Sequence, residues 1–153
     1  LIEIRMANWQ QAEDRHLLSS IRREVFVEEQ RVPREIELDA HDSNSLHLLA
    51  STSDCRFVGC VRVMPTGQIG RMAVLLPCRG AGIGAHLLQA AISAAEDAGL
   101  EPIFLHAQRH AEGFYRRFGF APAGDVFHEA DIEHIKMTLK NAPDELTDEP
   151  KAQ

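Results

Sequence analysis

The run Arg79-Gly80-Ala81-Gly82-Ile83-Gly84 constrains this chain more than any other feature. It stands between an apolar, β-prone run, Gln68 to Leu75, and a stretch where Leu87, Leu88, Ala91, Ile92 and Ala95 recur at helical spacing. A strand must therefore turn sharply into a helix through residues with little or no side chain. The first N–H groups of such a helix have no partner inside it and point into the turn, where the helix dipole favours negative charge. Arg79 adds a formal positive charge. These are the physics of anion binding, and a pyrophosphate would fit. Gly99 closes the helix at the C-terminal position where glycine is preferred.

The rest of the chain reads as strands and helices built around this unit. Ile2 to Arg5 alternate as a strand, and Leu17, Leu18, Ile21 and Val25 mark one face of a helix. Phe26 to Asp42 is acidic and contains Pro33, so it reads as a helix end followed by an irregular loop. Leu46–Ser51 and Arg56–Met64 form a hairpin about Ser53-Asp54, and Gly67 turns the chain into the strand before the glycines. After the long helix come a buried strand, Pro102 to Ala107, and a short helix, Ala111 to Phe118, stopped by Gly119. Two closing strands follow, Phe120 to Phe127 and His134 to Leu139. The order predicts a mixed α/β layer with helices on its faces. Residues 1–140 read as one domain, and the acidic, proline-containing stretch 141–153 as a disordered tail.

Composition narrows the function classes. Lys plus Arg total 16 against 23 Asp plus Glu, a net charge of −7, so no nucleic-acid partner is expected, while a cationic amine suits the balance. No run approaches the roughly 18 apolar residues of a spanning helix, so no membrane partner is expected. No basic segment followed by an apolar one marks a signal peptide, and the missing initiator Met suggests a short natural start that has been lost. Cys55, Cys60 and Cys78 make no disulfide framework or metal spacing, which points to a reducing compartment, the cytoplasm. His106 and His110 have the spacing of helical metal ligands. His106 falls in a strand, however, and no third ligand is evident, so no metal is expected.

Three readings of the glycine turn compete. It can be a plain packing turn. Gly80, Gly82 and Ala85 also satisfy G-x-G-x-x-A, the dinucleotide fingerprint, but the next strand ends at Gln108 where a ribose-binding acid is wanted. A phosphate-loop NTPase is excluded, because no Lys-Ser/Thr follows the glycines. The third reading is a resemblance. Arg79-x-x-Gly82-x-Gly84 resembles the acyl-CoA loop of the GNAT superfamily of N-acetyltransferases. Gln108-x-x-Ala111-x-x-Phe114-Tyr115-x-x-x-Gly119-Phe120 resembles its second signature, with Gln at a position that is often Asn. The two stand in order, with one helix and one strand between them. Residues Val25 to Gln30, Pro33, Glu37, Asp39, Ala107-Gln108, Glu129 and Ile132 to Met137 are similar to the ElaA-like branch, and the resemblance covers about residues 1 to 140. One departure is Pro77 in Leu76-Pro77-Cys78, one position later than in the common pattern.

The resemblance implies the acyl-CoA N-acyltransferase fold, a mixed central sheet of roughly six to seven strands with helices on both faces and a splay between the fourth and fifth. It implies acetyl-CoA as co-substrate and a small amine as acceptor, with dimers common in the family. Backbone groups of Met72, Ala73 and Val74 would hold the pantetheine, a bulge there aiming an N–H at the thioester carbonyl. Arg79, Gly80, Ala81, Gly82, Ile83 and Gly84 would hold the pyrophosphate, with Gln108, Phe114 and Arg116 also on the CoA side. Tyr115 matches the general acid. Glu29 leads the candidates for the base, followed by Glu37, Asp39 and Glu129. Glu37, Glu129 and His134 are the candidates for substrate contact. Against the enzyme stands a non-catalytic acyl-CoA-binding module, and more distantly a nucleotide-dependent oxidoreductase.

Overall fold

The computed structural model describes residues 1–54 and 56–140. The stretch 141–153, expected as a disordered tail, lies outside them. The chain forms two compact units, Leu1–Glu101 and a second beginning at Pro102. Each carries four strands among the described residues.

In the first unit β1 (Ile2–Ala7), β2 (Leu46–Thr52), β3 (Phe57–Val63) and β4 (Gln68–Val74) pair antiparallel in chain order. Most of β2 and β3 is buried as a continuous apolar run rather than an alternating one, because helices cover both faces. On one face Leu18 and Ile21 of α1 (Ala12–Arg22), with Val25, pack against Leu49, Cys60 and Ala73. On the other lies α3 (Ile83–Asp97), which buries Ile83, Leu87, Leu88, Ala91 and Ala95. It comes so close to β3 that a Cβ on Gly59 would meet the Ala73 carbonyl oxygen and Leu87 Cδ1 at 3.0 Å and Ile83 Cγ2 at 3.3 Å.

The first helix runs further than the sequence suggests. Beyond Arg22 it widens into a π-helical stretch, Arg23–Glu29, whose last bond runs from the Gln30 N–H to the Val25 carbonyl. Within it Val25 is buried and Phe26 packs against the core. Arg31 then takes a left-handed conformation, and Pro33 precedes one helical turn, α2 (Arg34–Glu37). Phe26 to Asp42 is therefore a helix end followed by irregular stretches at 30–33 and 38–41, with one helical turn between them that the sequence reading did not include.

The second unit contains β5 (Phe104–Gln108), α4 (Glu112–Arg116), β6 (Phe120–Pro122), β7 (Phe127–Glu129) and β8 (Ile132–Leu139). One edge of β8 meets β5 over Phe104–Gln108, and the other meets β7 and then β6. Burial along β5 alternates, with Leu105 and Ala107 inward and Phe104, His106 and Gln108 on the opposite face. The expected single strand Phe120 to Phe127 is two short ones, and the strands number eight rather than six or seven. Pro122, which has no N–H for the ladder, ends β6.

Candidate active site

In the first unit β4 leads through the 3₁₀ turn Leu76–Cys78 and an extended Arg79 into the glycines. Gly80 and Gly82 are left-handed, with φ of 90° and 85°. Gly82 is the N-cap of α3, and no side chain caps that end. The opening N–H groups of Ile83, Gly84 and Ala85 are thus left for a ligand. One turn on, His86 donates from Nδ1 to the Gly82 carbonyl at 2.8 Å, which fixes the tautomer. His86 was not among the sequence candidates, and its place four residues beyond the cap is the signal that marks it.

Arg79 folds back along the turn. Its Nε donates to the Val74 carbonyl at 2.8 Å, and Nη1 and Nη2 donate to the two carboxylate oxygens of Glu29 at 2.8 and 2.7 Å. The Arg79 hydrogen bonds hold the Glu29 carboxyl below the usual carboxylate range. The two side chains are 37% and 35% exposed, so a ligand phosphate can reach and compete for the pair. Thus the candidate base and the candidate phosphate-binding arginine are fastened to each other.

Met72, Ala73 and Val74 lie on a bulged strand. Cys60 pairs with Ala73 and Arg62 with Gly70, so Val61 opposes both Arg71 and Met72. Arg71 is left-handed, with φ of 47°. The bulge expected from the resemblance is therefore present, and it frees backbone groups from the ladder at this point.

The acidic residues 37 to 42 have a different placement from the expected one. Glu37 is buried, and its Oε2 accepts from Arg22 Nε at 2.6 Å and lies 3.3 Å from Arg71 Nε. Asp42, also buried, accepts from Arg22 and Arg62 at 2.9 and 3.0 Å. Asp39 accepts from Arg62 and Arg71, each at 2.9 Å. Burial works to raise the Asp39 and Asp42 carboxyls, but the arginine partners prevail and hold both below the usual range. The carboxylate of Glu37, one of the expected substrate contacts, is held between Arg22 and Arg71. Asp39 is committed to Arg62 and Arg71.

In the second unit Tyr115 is half-buried on α4. Its ring meets Phe114 at 5.1 Å and Phe120 at 6.2 Å, both edge-on. Burial alone pushes its phenol up to about 12. Phe114 also packs on Phe118, and Arg117 lies over its ring. Arg116 pairs with Glu112 at 2.7 Å, one turn back. Gln108 Oε1 accepts from His110 Nε2 at 2.7 Å. His134 is buried and donates from Nδ1 to the Ile132 carbonyl, which leaves Nε2 3.8 Å from Glu129 Oε1. His106 Nδ1 lies 3.5 Å from the other Glu129 oxygen, and Phe127 packs on both histidines. The structure thus joins Glu129 to His134, two of the expected substrate residues, and adds His106.

Known proteins resemble this chain over most of its length. Residues 9–141 match the family described as the acetyltransferase (GNAT) domain. The chain is 35% identical to YjcF of Bacillus subtilis, an uncharacterized N-acetyltransferase, over 76% of this chain and 86% of that one. Among solved structures it is similar to an acyl-CoA N-acyltransferase from Pseudomonas aeruginosa, with a TM-score of 0.81 and 30% identity, covering 92% of this chain and 100% of that one. Escherichia coli ElaA matches with a TM-score of 0.78 and 27% identity, again over 92% and 100%.

Proposed function

The chain belongs to the GNAT acetyltransferase family, in its ElaA-like branch, and from that premise we propose that it moves the acetyl group of acetyl-CoA directly onto a primary amine of a small molecule within a ternary complex. The uncapped start of α3, opened by left-handed Gly82 and flanked by Arg79, carries this reading. Free N–H groups, a helix dipole and a guanidinium suit the diphosphate of acyl-CoA.

The chemistry has three requirements. The amine nitrogen attacks the thioester carbonyl carbon, and the carbonyl electron pair moves onto oxygen. A backbone N–H freed by the β4 bulge is suited to stabilise that oxyanion, and one such donor is worth about 10²–10³ in rate. The carbon–sulfur bond then breaks, and Tyr115 gives its proton to the leaving thiolate. The amine proton passes to a carboxylate or through water. Glu29 fits that role once phosphate displaces it from Arg79, because its carboxyl then regains ordinary basicity. Glu129 and His134 serve the acceptor, and an acidic chain favours a cationic one. The cytoplasm and a homodimer belong to the same reading. The first rests on the cysteine usage and the second on the family.

The second reading, a non-catalytic acyl-CoA-binding module, draws support from Glu29, whose oxygens both accept from Arg79 and take no proton in this state. Calorimetric titration of the purified chain with acetyl-CoA, with NAD as control, tests the binding step. Binding of acetyl-CoA alone, lost in Arg79→Glu, is expected, and no binding overturns the assignment. CoA release across a panel of amines then separates the enzyme from the module.

A further inference from the structure

Four described residues other than glycine have a left-handed backbone. Arg31 follows the π-helical stretch, and Ala130 and Asp131 form the turn between β7 and β8. In those places positive φ closes a helix or a hairpin. Arg71 is different, because it lies inside a strand. Arginine gains nothing from this conformation, and such residues persist where their surroundings hold them and cluster at functional sites.

The Arg71 side chain shows what holds it. Nη2 donates to the Glu37 carbonyl at 3.2 Å, to the Ile36 carbonyl at 3.3 Å and to Asp39 Oδ2 at 2.9 Å. Nε lies 3.3 Å from Glu37 Oε2, close enough to pair in charge but without hydrogen-bond geometry. Two of these acceptors are carbonyls at the end of α2, which have no partner within the helix and suit a cation. Asp39 and Glu37 are fixed in turn by Arg62 and Arg22. On the backbone side, the Arg71 carbonyl accepts from the Cys60 thiol at 3.7 Å. One residue therefore both forms the β4 bulge and fastens it to the 36–39 strap.

Resting on the acetyltransferase reading, we infer that Arg71 is a positioning residue for acyl transfer: its tether to Ile36, Glu37 and Asp39 fixes the peptide orientation at the Arg71–Met72 bulge, and so aims the backbone donor at the thioester carbonyl. Loss of the tether lets the bulge relax, and the aim is lost without loss of the phosphate cradle, which lies beyond β4 at Arg79 to Gly84.

The test uses acetyl-CoA labelled with ¹³C at the carbonyl carbon and infrared difference spectra of the full chain. In the unsubstituted protein the bound carbonyl stretch is expected below its value in free solution, because a directed N–H polarises the bond. Arg71→Gly tolerates the left-handed backbone and removes the tether, with added backbone freedom that Asp39→Asn does not share. The stretch is expected to return most of the way to the free value, while acetyl-CoA affinity stays within about threefold. Asp39→Asn, which leaves β4 untouched, is expected to move the stretch in the same direction by less. Should Arg71→Gly not fold, Asp39→Asn and Arg71→Lys carry the comparison. An unmoved stretch in folded variants that bind acetyl-CoA overturns this inference alone. Affinity lost in step with the stretch also overturns it, since Arg71 then merely supports the fold. Absence of acetyl-CoA binding to the unsubstituted chain removes the acetyltransferase reading and this inference with it.

Discussion

In the proposed role of general acid, Tyr115 would hold its proton until a thiolate appears and then release it. Burial pushes the phenol up to about 12, so it is fully protonated throughout the neutral range. The same shift makes it a weak acid, because a thiol titrates near ~8.5 and the transfer runs uphill. The expected loss in Tyr115→Phe is thus at the low end for a general acid, about 10²-fold in kcat, with acetyl-CoA affinity nearly intact. Steady-state rates with calorimetry check this, and unchanged turnover removes the role. A basic limb in the pH–rate profile below pH 10 must arise elsewhere, since Tyr115 loses its proton only as pH rises towards about 12.

Glu29 presents the opposite case, a carboxyl held low by Arg79. A base acts when deprotonated, so activity rises with pH through its pKa. In the free enzyme that limb lies below the usual carboxylate range. In the ternary complex, with Arg79 drawn to phosphate, it moves up. Glu29→Gln is expected to abolish the acidic limb of kcat and lower kcat. It also frees Arg79 from a surface pair worth roughly 0.2–1 kcal/mol, so acetyl-CoA binds up to about fivefold tighter. Unchanged kcat with a retained acidic limb transfers the base to another group.

At the scale of elements, the position of the cradle depends on how closely α3 approaches β3. Gly59 permits that approach, because its absent Cβ leaves room for Leu87 and Ile83 and for the Ala73 carbonyl oxygen. Gly59→Ala forces backbone and helix apart and is expected to cost about 1–3 kcal/mol in urea unfolding. Since Ile83 opens the helix, acetyl-CoA binding should weaken as well. A variant as stable as the parent, with equal affinity, refutes the close-packing account. The glycine turn and α3 were legible in the sequence because glycines and a 3.6-residue period state their own geometry. The π-helical stretch was not, because Leu18, Ile21 and Val25 fit an ordinary helical period and nothing in that spacing marks the wider winding. The split of β6 from β7 was blurred because Phe120 and Phe127 are both strand formers, although Pro122 and Gly124-Asp125 hinted at the break. The Arg79–Glu29 fork joins residues 50 apart in sequence, and the enclosure of Glu37 depends on two arginines, Arg22 from α1 and Arg71 from β4. Nothing local in the chain announces either. The positive φ at Arg71 goes with side-chain bonds to Ile36, Glu37 and Asp39, contacts distant in sequence that the residue type does not announce.

At the scale of the whole molecule the question is whether the acetyl group rests on the protein on its way to the amine. A covalent route needs a nucleophile with an appreciable thiolate fraction. Cys60 is buried against α1, and desolvation pushes its thiol up to about 12, so it stays protonated near neutral pH. Cys78 sits in the turn between β4 and the glycines with no hydrogen-bonded base among the described residues. Neither of these two cysteines has a feature that equips it to carry the acetyl group, whereas the cradle and a half-buried phenol suit direct attack. Initial rates with both substrates varied are therefore expected to give intersecting double-reciprocal lines. The intact mass of the chain should not change after incubation with acetyl-CoA alone, and Cys78→Ser should keep full turnover. Parallel lines together with an acetylated chain would establish a covalent intermediate and overturn the ternary-complex reading, and the mass of its proteolytic fragments would show which residue carries it.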